Sequence, residues 1–142
     1  MIKKILVLSS LLISISYAQL YGPKLTCQEK QYDFGTVVQG EKVKHDYLIT
    51  NTGDDTLKIS NVHASCGCTA ALPDKKILLP GESANIKVEF NSLGRTGHQV
   101  KHITIKSNDV DNPEVLLDLF GDVVKEDTLK QNTSTLDKTK SN

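Results

Sequence analysis

The sequence predicts an all-β protein, an immunoglobulin-like sandwich of two antiparallel sheets with about seven strands. Three observations carry that expectation. Short runs of alternating apolar and polar residues recur from Gln31 to Val124, and period-two alternation is the pattern of a strand with one face buried. Turn-forming clusters separate these runs at the spacing of a sandwich. No long helical stripe intervenes, and the continuous apolar runs and crossovers of a parallel sheet are missing.

The first run, residues 32–38, places Tyr32 and Phe34 on one face, and Gly40-Glu41 turns the chain. In residues 43–49, Val43, His45, Tyr47 and Ile49 share a face while Lys44 and Asp46 point away, so His45 reads as a satisfied interior or boundary residue. Asn51-Thr52-Gly53-Asp54-Asp55 collects residues that bond their own backbone or accept positive φ, which ends that strand in a loop. Residues 56–62 resume the extended pattern with Leu57 and Ile59 on one face; adding Val62 to it requires a bulge. Beyond the cysteine segment, Ile77-Leu78-Leu79 is stopped by Pro80-Gly81.

The cleanest alternation follows, with Ala84, Ile86, Val88 and Phe90 inward and Asn85, Lys87 and Glu89 outward. Residues 91–97, with two glycines and Arg95, read as a loop. In the strand 98–106, Val100 is expected inward, followed by His102 or, across a shift, by Ile103 and Ile105. Residues 107–113 are a long turn signal, and 114–124 closes the domain with Val115, Leu117 and Leu119 on one face. Gly121 marks a bulge or a close backbone contact. The acids Asp54, Asp55, Asp109, Asp111 and Glu114 fall in loop signals and read as solvated polar residues.

The chain opens Met1-Ile2-Lys3-Lys4, continues with apolar residues 5–15 and reaches Ser16-Tyr17-Ala18. That is the positive, apolar and small-residue order of a cleaved Sec signal. The apolar stretch is shorter than the roughly 17–25 residues that cross a bilayer, and no later segment is apolar enough to do so. The plan is a signal peptide at 1–18, an N-terminal extension at 19–29, the sandwich at 30–124 and a flexible polar tail at 125–142. The tail has two leucines as its only aliphatic side chains, too little apolar area to offset its ordering entropy. Such a protein is exported across the inner membrane, to the periplasm, the outer membrane or the outside.

The whole chain carries 17 Lys and Arg against 17 Asp and Glu, and loss of residues 1–18 removes two of the lysines and no acid. The remaining lysines are scattered among acids rather than gathered into the basic face that phosphates require, so nucleic acid is not an expected partner.

Six pieces of the sequence recur together in a known family: Phe34-Gly35-Thr36-Val37 with Gly40-Glu41; Asn51-Thr52-Gly53 before Leu57-Lys58-Ile59; Ser65-Cys66-Gly67-Cys68-Thr69; Pro80-Gly81-Glu82-Ser83; Phe90-Asn91-Ser92 with Gly94-Arg95-Thr96-Gly97; and Ile105-Lys106-Ser107-Asn108-Asp109 before Pro113. In this order they resemble DUF1573, a family of exported bacterial proteins of unknown function found often in Bacteroidota, distantly similar to PapD-like, ASH and MSP domains. The resemblance implies an immunoglobulin-like fold. It implies no enzymatic activity, and its wider fold relatives, which act as chaperone, adhesion or scaffold modules, imply binding by analogy of fold.

The chain has three cysteines, Cys27, Cys66 and Cys68, and an odd number in an oxidising compartment leaves at least one without an intramolecular partner. Four arrangements stay open. Cys27 pairs with Cys66 or Cys68; Cys66 pairs with Cys68 through a tight turn at Gly67, since a straight strand would hold them near the upper limit of about 6.8 Å between Cα atoms; all remain reduced; or Cys66 and Cys68, with His63, hold a soft metal such as Cu(I) or Zn(II). A thiol/disulfide redox role for Cys66 and Cys68 is a further alternative, although neither a Cys-x-x-Cys spacing nor a helix N-terminus supports it.

His98 and His102 are four residues apart, which in a strand separates them by about 13 Å, so they are poor joint ligands. Arg95 is a candidate for a paired contact to a carboxylate, or simply a solvated arginine in a turn. Elbow, zinc-protease and phosphate-loop motifs are all missing. The sequence therefore reads as a non-enzymatic interaction or structural module of the bacterial cell envelope, working with a protein partner or as a subunit of a larger assembly. A metal carrier centred on Cys66 and Cys68 is the first alternative, and no other cofactor is implied.

Overall fold

The computed structural model describes residues 22–127; the signal peptide assigned to 1–18, the start of the 19–29 extension and the tail from residue 128 lie outside them. Nine strands occupy the described residues: β1 (Leu25–Cys27), β2 (Gln31–Val38), β3 (Lys42–Asn51), β4 (Leu57–Ala64), β5 (Thr69–Pro73), β6 (Ile77–Leu78), β7 (Ser83–Asn91), β8 (Gly97–Ser107) and β9 (Glu114–Val124). One sheet has the order β1-β3-β7-β5, the other β2-β9-β8-β4-β6. Up to β8 the chain changes sheet at every connection, so each loop there is also a strap across the edge or end of the sandwich.

The all-β, two-sheet architecture agrees with the sequence, with two corrections. About seven strands become nine, because β1 and β5 are too short to show a period; β1 lies inside the segment read as an extension and pairs with β3. The sandwich is also not wholly antiparallel: β2, at one edge, runs parallel to β9. Alternation within a strand carries no information about the direction of its partner, and these two strands lie near opposite ends of the described chain.

Between the sheets lie Tyr47, Phe90, Ile49, Leu57, Leu78, Ile86, Ile103, Ile105, Leu117 and Leu119, all fully buried. Leu57 and Ile59 share the buried face of β4, and the register shift between Ile59 and Asn61 is the bulge that Val62 required. In β8 the expectation for Val100 and His102 is corrected. The inward parity runs unbroken through Gln99, Lys101, Ile103 and Ile105, and Val100 and His102 face out. Lys101 tolerates its inward position by laying its stem along the core, with Nζ 5.2 Å from the centre of the Phe90 ring and donating to Gln99 Oε1 at 3.0 Å. Burial, reinforced by the Arg95 charge, lowers its pKa.

Gly121 is where β9 leaves no room for a side chain against β2. A Cβ there would lie 2.5 Å from both the Gly35 carbonyl oxygen and Phe34 Cδ2, at the register shift between Asp33 and Thr36. The Phe34 ring uses that space to reach Phe90, 5.8 Å between centroids. Gly121→Ala is expected to destabilise the protein by about 1–3 kcal/mol and to speed amide exchange across β2 more than elsewhere. Unchanged β2 protection in the variant would refute the close approach.

Three buried polar residues fasten the straps. Asn51 donates from Nδ2 to the carbonyls of Asp55 (2.8 Å) and Leu78 (2.9 Å), and its Oδ1 accepts from the amides of Gly53 (3.1 Å) and Lys24 (3.3 Å). Ser92 Oγ donates to the Glu41 carbonyl at 2.7 Å and accepts from the Gly40 amide at 2.9 Å, which pins the β2–β3 turn. Asp109, read above as a solvated loop acid, is only 2% exposed. Its Oδ2 accepts from the Leu25 amide of β1 at 2.9 Å, and Oδ1 from the amides of Asp111 and Asn112 at 3.0 and 3.1 Å. Across the core, the Tyr47 hydroxyl on β3 donates to the Asp118 carbonyl on β9 at 2.6 Å, joining the sheets; burial raises its pKa.

Candidate functional site

The loop at residues 65–68 carries the chain from β4 in one sheet to β5 in the other. Backbone bonds hold it at both ends: the Ser65 amide donates to the His102 carbonyl at 2.8 Å, the Thr69 amide to Cys66 at 3.2 Å, and the Asn91 amide to Cys68 at 2.9 Å. Within the loop, Cys66 and Cys68 are joined in a disulfide across Gly67. Both are partly exposed, while Cys68 also packs against the core. The Thr69 hydroxyl, on a residue only 7% exposed, lies 3.5 Å from Cys66 Sγ and 3.8 Å from Cys68 Sγ. Disulfide sulfurs carry no proton, so the hydroxyl is the donor to either of them.

Beside the loop runs an open groove between β4 and β5, lined by Val62, His63 and Ala64 on one side and Ala70, Ala71 and Leu72 on the other. β5 is an edge strand, paired only with β7. Cys68 accepts from Asn91, and Asp74 donates to Asn85. In an antiparallel ladder every second residue bonds the same neighbour, so the backbone groups of Ala71, and the carbonyl of Pro73, face away from β7 toward the groove. Leu72, which lines this groove, is 68% exposed, and Ile77 and Leu79, in and after β6 of the other sheet, are exposed as well.

Among the sequence-derived candidates, His63 is exposed and lines the same groove as Cys66. Cys27 does not join them. It is buried and free, and it pairs in register with Ile49, whereas Thr69 lies opposite Phe90 and, beyond it, Val43. Six residues of β3 separate those levels, about 20 Å along the strand, and β3 and β7 stand between. The Cys27 thiol instead donates to the Glu29 carbonyl at 2.9 Å, and burial raises its pKa. The Cys27 pairing considered above is therefore not formed.

With Cys66 and Cys68 bonded to each other, neither is a thiolate ligand in this state. Among the described residues no group of three or more His, Cys, Asp or Glu side chains is placed to hold a metal ion. The set of Cys66, Cys68 and His63 thus has no arrangement supporting Cu or Zn. Arg95 lies in the β7–β8 loop, its amide donating to the Ser92 carbonyl at 3.0 Å and its carbonyl accepting from Gln39 Nε2 at 2.9 Å. The loop is thus built, and the guanidinium is left at the surface.

The other histidines are engaged separately. His45 stacks on Tyr32 at 3.7 Å and meets Tyr47 edge-on at 4.5 Å, with Nε2 facing Glu29 Oε2 at 3.2 Å, which makes it the satisfied boundary residue expected. On the outer face of β8, His98 Nδ1 faces Asp122 at 3.2 Å and His102 Nδ1 faces Asp118 at 2.7 Å. They do not converge on one point.

The two-sheet, all-β fold resembles PapD-like and immunoglobulin-like folds among solved structures. A Porphyromonas gingivalis W83 protein of unknown function superposes with a TM-score of 0.65 at 20% identity, over 72% of this chain and 48% of that one. The ASH/PapD-like domain 7 of human CEP192 does so at 0.60 and 13%, over 72% and 86%, and the Escherichia coli chaperone DraB at 0.51 and 10%, over 74% and 56%. This chain thus spans about half the length of the P. gingivalis protein. The chain belongs to the family described as "Protein of unknown function (DUF1573)", whose model matches residues 25–123. No curated protein matches the chain. Among the described residues no helix is long and apolar enough to cross a membrane.

Proposed function

We propose that this protein is a non-enzymatic interaction module of the bacterial cell envelope, exported by residues 1–18, whose β5 edge takes up an extended segment of a partner protein. The carrying observation is the open side of β5. Unpaired backbone groups recruit an added strand by ladder hydrogen bonding, and side chains flanking the edge select it. Leu72 stands beside those groups, with Ile77 and Leu79 on the next stretch of chain. Pro73 ends the usable edge, because it has no N–H to offer, so the module accepts one short strand instead of propagating a sheet. The likeness to chaperone and PapD-like folds supports the class of function, and Arg95, in the β7–β8 loop, remains a second candidate contact.

Leu72→Asp places a charge beside the edge without touching the core. It is expected to weaken partner binding by roughly tenfold or more while leaving Tm unchanged. The check is size-exclusion chromatography of native envelope extracts, followed by titration of the recovered partner. Wild-type protein eluting only as a free monomer would count against the reading, as would undiminished binding by the variant.

A further inference from the structure

We propose that the Cys66–Cys68 disulfide is a redox-active site that exchanges with an extracytoplasmic dithiol, with Thr69 as the positioning residue. The inference stands independently of docking at the β5 edge.

Two observations carry it. First, the bridge braces almost nothing. A disulfide stabilises a fold chiefly by restricting the unfolded chain, least for the shortest loops, and this one joins residues only two apart. The loop is already held by the backbone bonds of Ser65, Thr69 and Asn91, none of which needs the sulfurs to be paired. Reduction can therefore proceed inside the folded protein. Second, a buried hydroxyl is aimed at both sulfurs. Thr69 Oγ1, 3.5 and 3.8 Å from them, makes only weak contacts to a neutral disulfide but donates a stronger, charge-assisted bond to a thiolate. It is placed for the charge that appears when the bond opens.

The step balances with a dithiol as co-reactant. One thiolate of the dithiol attacks Cys66 Sγ, the sulfur not packed on the core, and forms a mixed disulfide. The Cys66–Cys68 bond breaks and its electron pair leaves on Cys68 Sγ, where the Thr69 hydroxyl supports it. The second thiol of the dithiol then attacks its own partner sulfur and releases Cys66. The dithiol is oxidised to a disulfide, and its two protons end on Cys66 and Cys68. Access is available: a Cβ added at Gly67 meets nothing within 4 Å, so the loop crest stands clear of the body of the protein.

The test uses the oxidised mature protein and dithiothreitol as the dithiol. Alkylation followed by intact mass is expected to show two new thiols under native conditions, with Tm moved by no more than a few degrees. With oxidised glutathione as probe, Cys68→Ser should trap a mixed disulfide through Cys66 at least several-fold faster than Cys66→Ser does through Cys68. Thr69→Val, which keeps shape and removes the hydroxyl, is expected to slow opening by roughly three- to tenfold at constant pH and to raise the pH midpoint of thiol alkylation in the reduced protein; Thr69→Ser should restore both. A bond that resists dithiothreitol until the protein unfolds, equal trapping by the two single variants, or an alkylation midpoint unmoved in Thr69→Val would each overturn the assignment.

Discussion

Asn51→Ala is expected to destabilise the sandwich by about 3–4 kcal/mol, with four side-chain hydrogen bonds lost at roughly 1 kcal/mol each. Tm should fall by roughly 15 °C or more for a domain of this size. The amide of Asn51 binds Glu82 O and its carbonyl binds the Gly81 amide, while its side chain gathers Lys24, Gly53, Asp55 and Leu78. One fully buried residue thus ties the start of β1, the β3–β4 loop and the turn after β6. Alanine leaves two carbonyls and two amides to find water or strain. Asn51→Asp is the sharper control: it is nearly isosteric and keeps the acceptor, but turns a carboxylate oxygen toward the Asp55 and Leu78 carbonyls. It should be no more stable than the alanine variant. Thermal and urea melts of the three proteins decide the point; a loss below about 1 kcal/mol in both variants would show that the straps hold without this side chain.

The same residue shows what a sequence discloses and what it hides. Half-buried strands write their faces directly into the chain, and so Ala84, Ile86, Val88 and Phe90 were legible as a core stripe, as were Val115, Leu117 and Leu119. β1 and β5, at three and five residues, are shorter than the window in which a period can be told from chance. Asn51, Ser92 and Asp109 were visible only as turn formers. A solvated Asn-x-Gly turn and a buried asparagine that organises three segments use the same letters, because both exploit a short side chain able to bond nearby backbone. What separates them is burial, a property of the assembled sheets.

The cysteines follow the same logic. Spacing left the Cys66–Cys68 bridge open beside its rivals; the strand register, which places Cys27 near Ile49 and Thr69 near Phe90, removes the Cys27 pairings, and the assembled loop holds the bridge itself. Thr69 stood in the Cys-Gly-Cys-Thr motif without a role until its hydroxyl was found next to both sulfurs.

Asp109→Ala should be the second large loss, about 2–4 kcal/mol, because hydrogen bonds to a charged acceptor are worth more than neutral ones and three amides are orphaned together. Two of them, Asp111 and Asn112, shape the β8–β9 loop, and the third, Leu25, belongs to β1 in the other sheet. The carboxylate therefore does locally what a turn residue does and, with its second oxygen, holds an edge strand. Asp109→Asn separates these parts. An amide oriented to keep an oxygen toward Asp111 and Asn112 turns its NH2 toward the Leu25 N–H, donor against donor, so the loop survives and the strand is released. The expected signature is a loss smaller than that of alanine, with amide exchange accelerated at residues 24–27 and little changed in β8 and β9. If Asp109→Asn instead loosened the loop and left β1 protected, the anchor for β1 would have to be sought in its pairing with β3 and in the bonds of Lys24 to Asn51 and Thr52. That pairing spans only the register positions Leu25, Thr26 and Cys27, too few for an edge strand to hold itself against fraying.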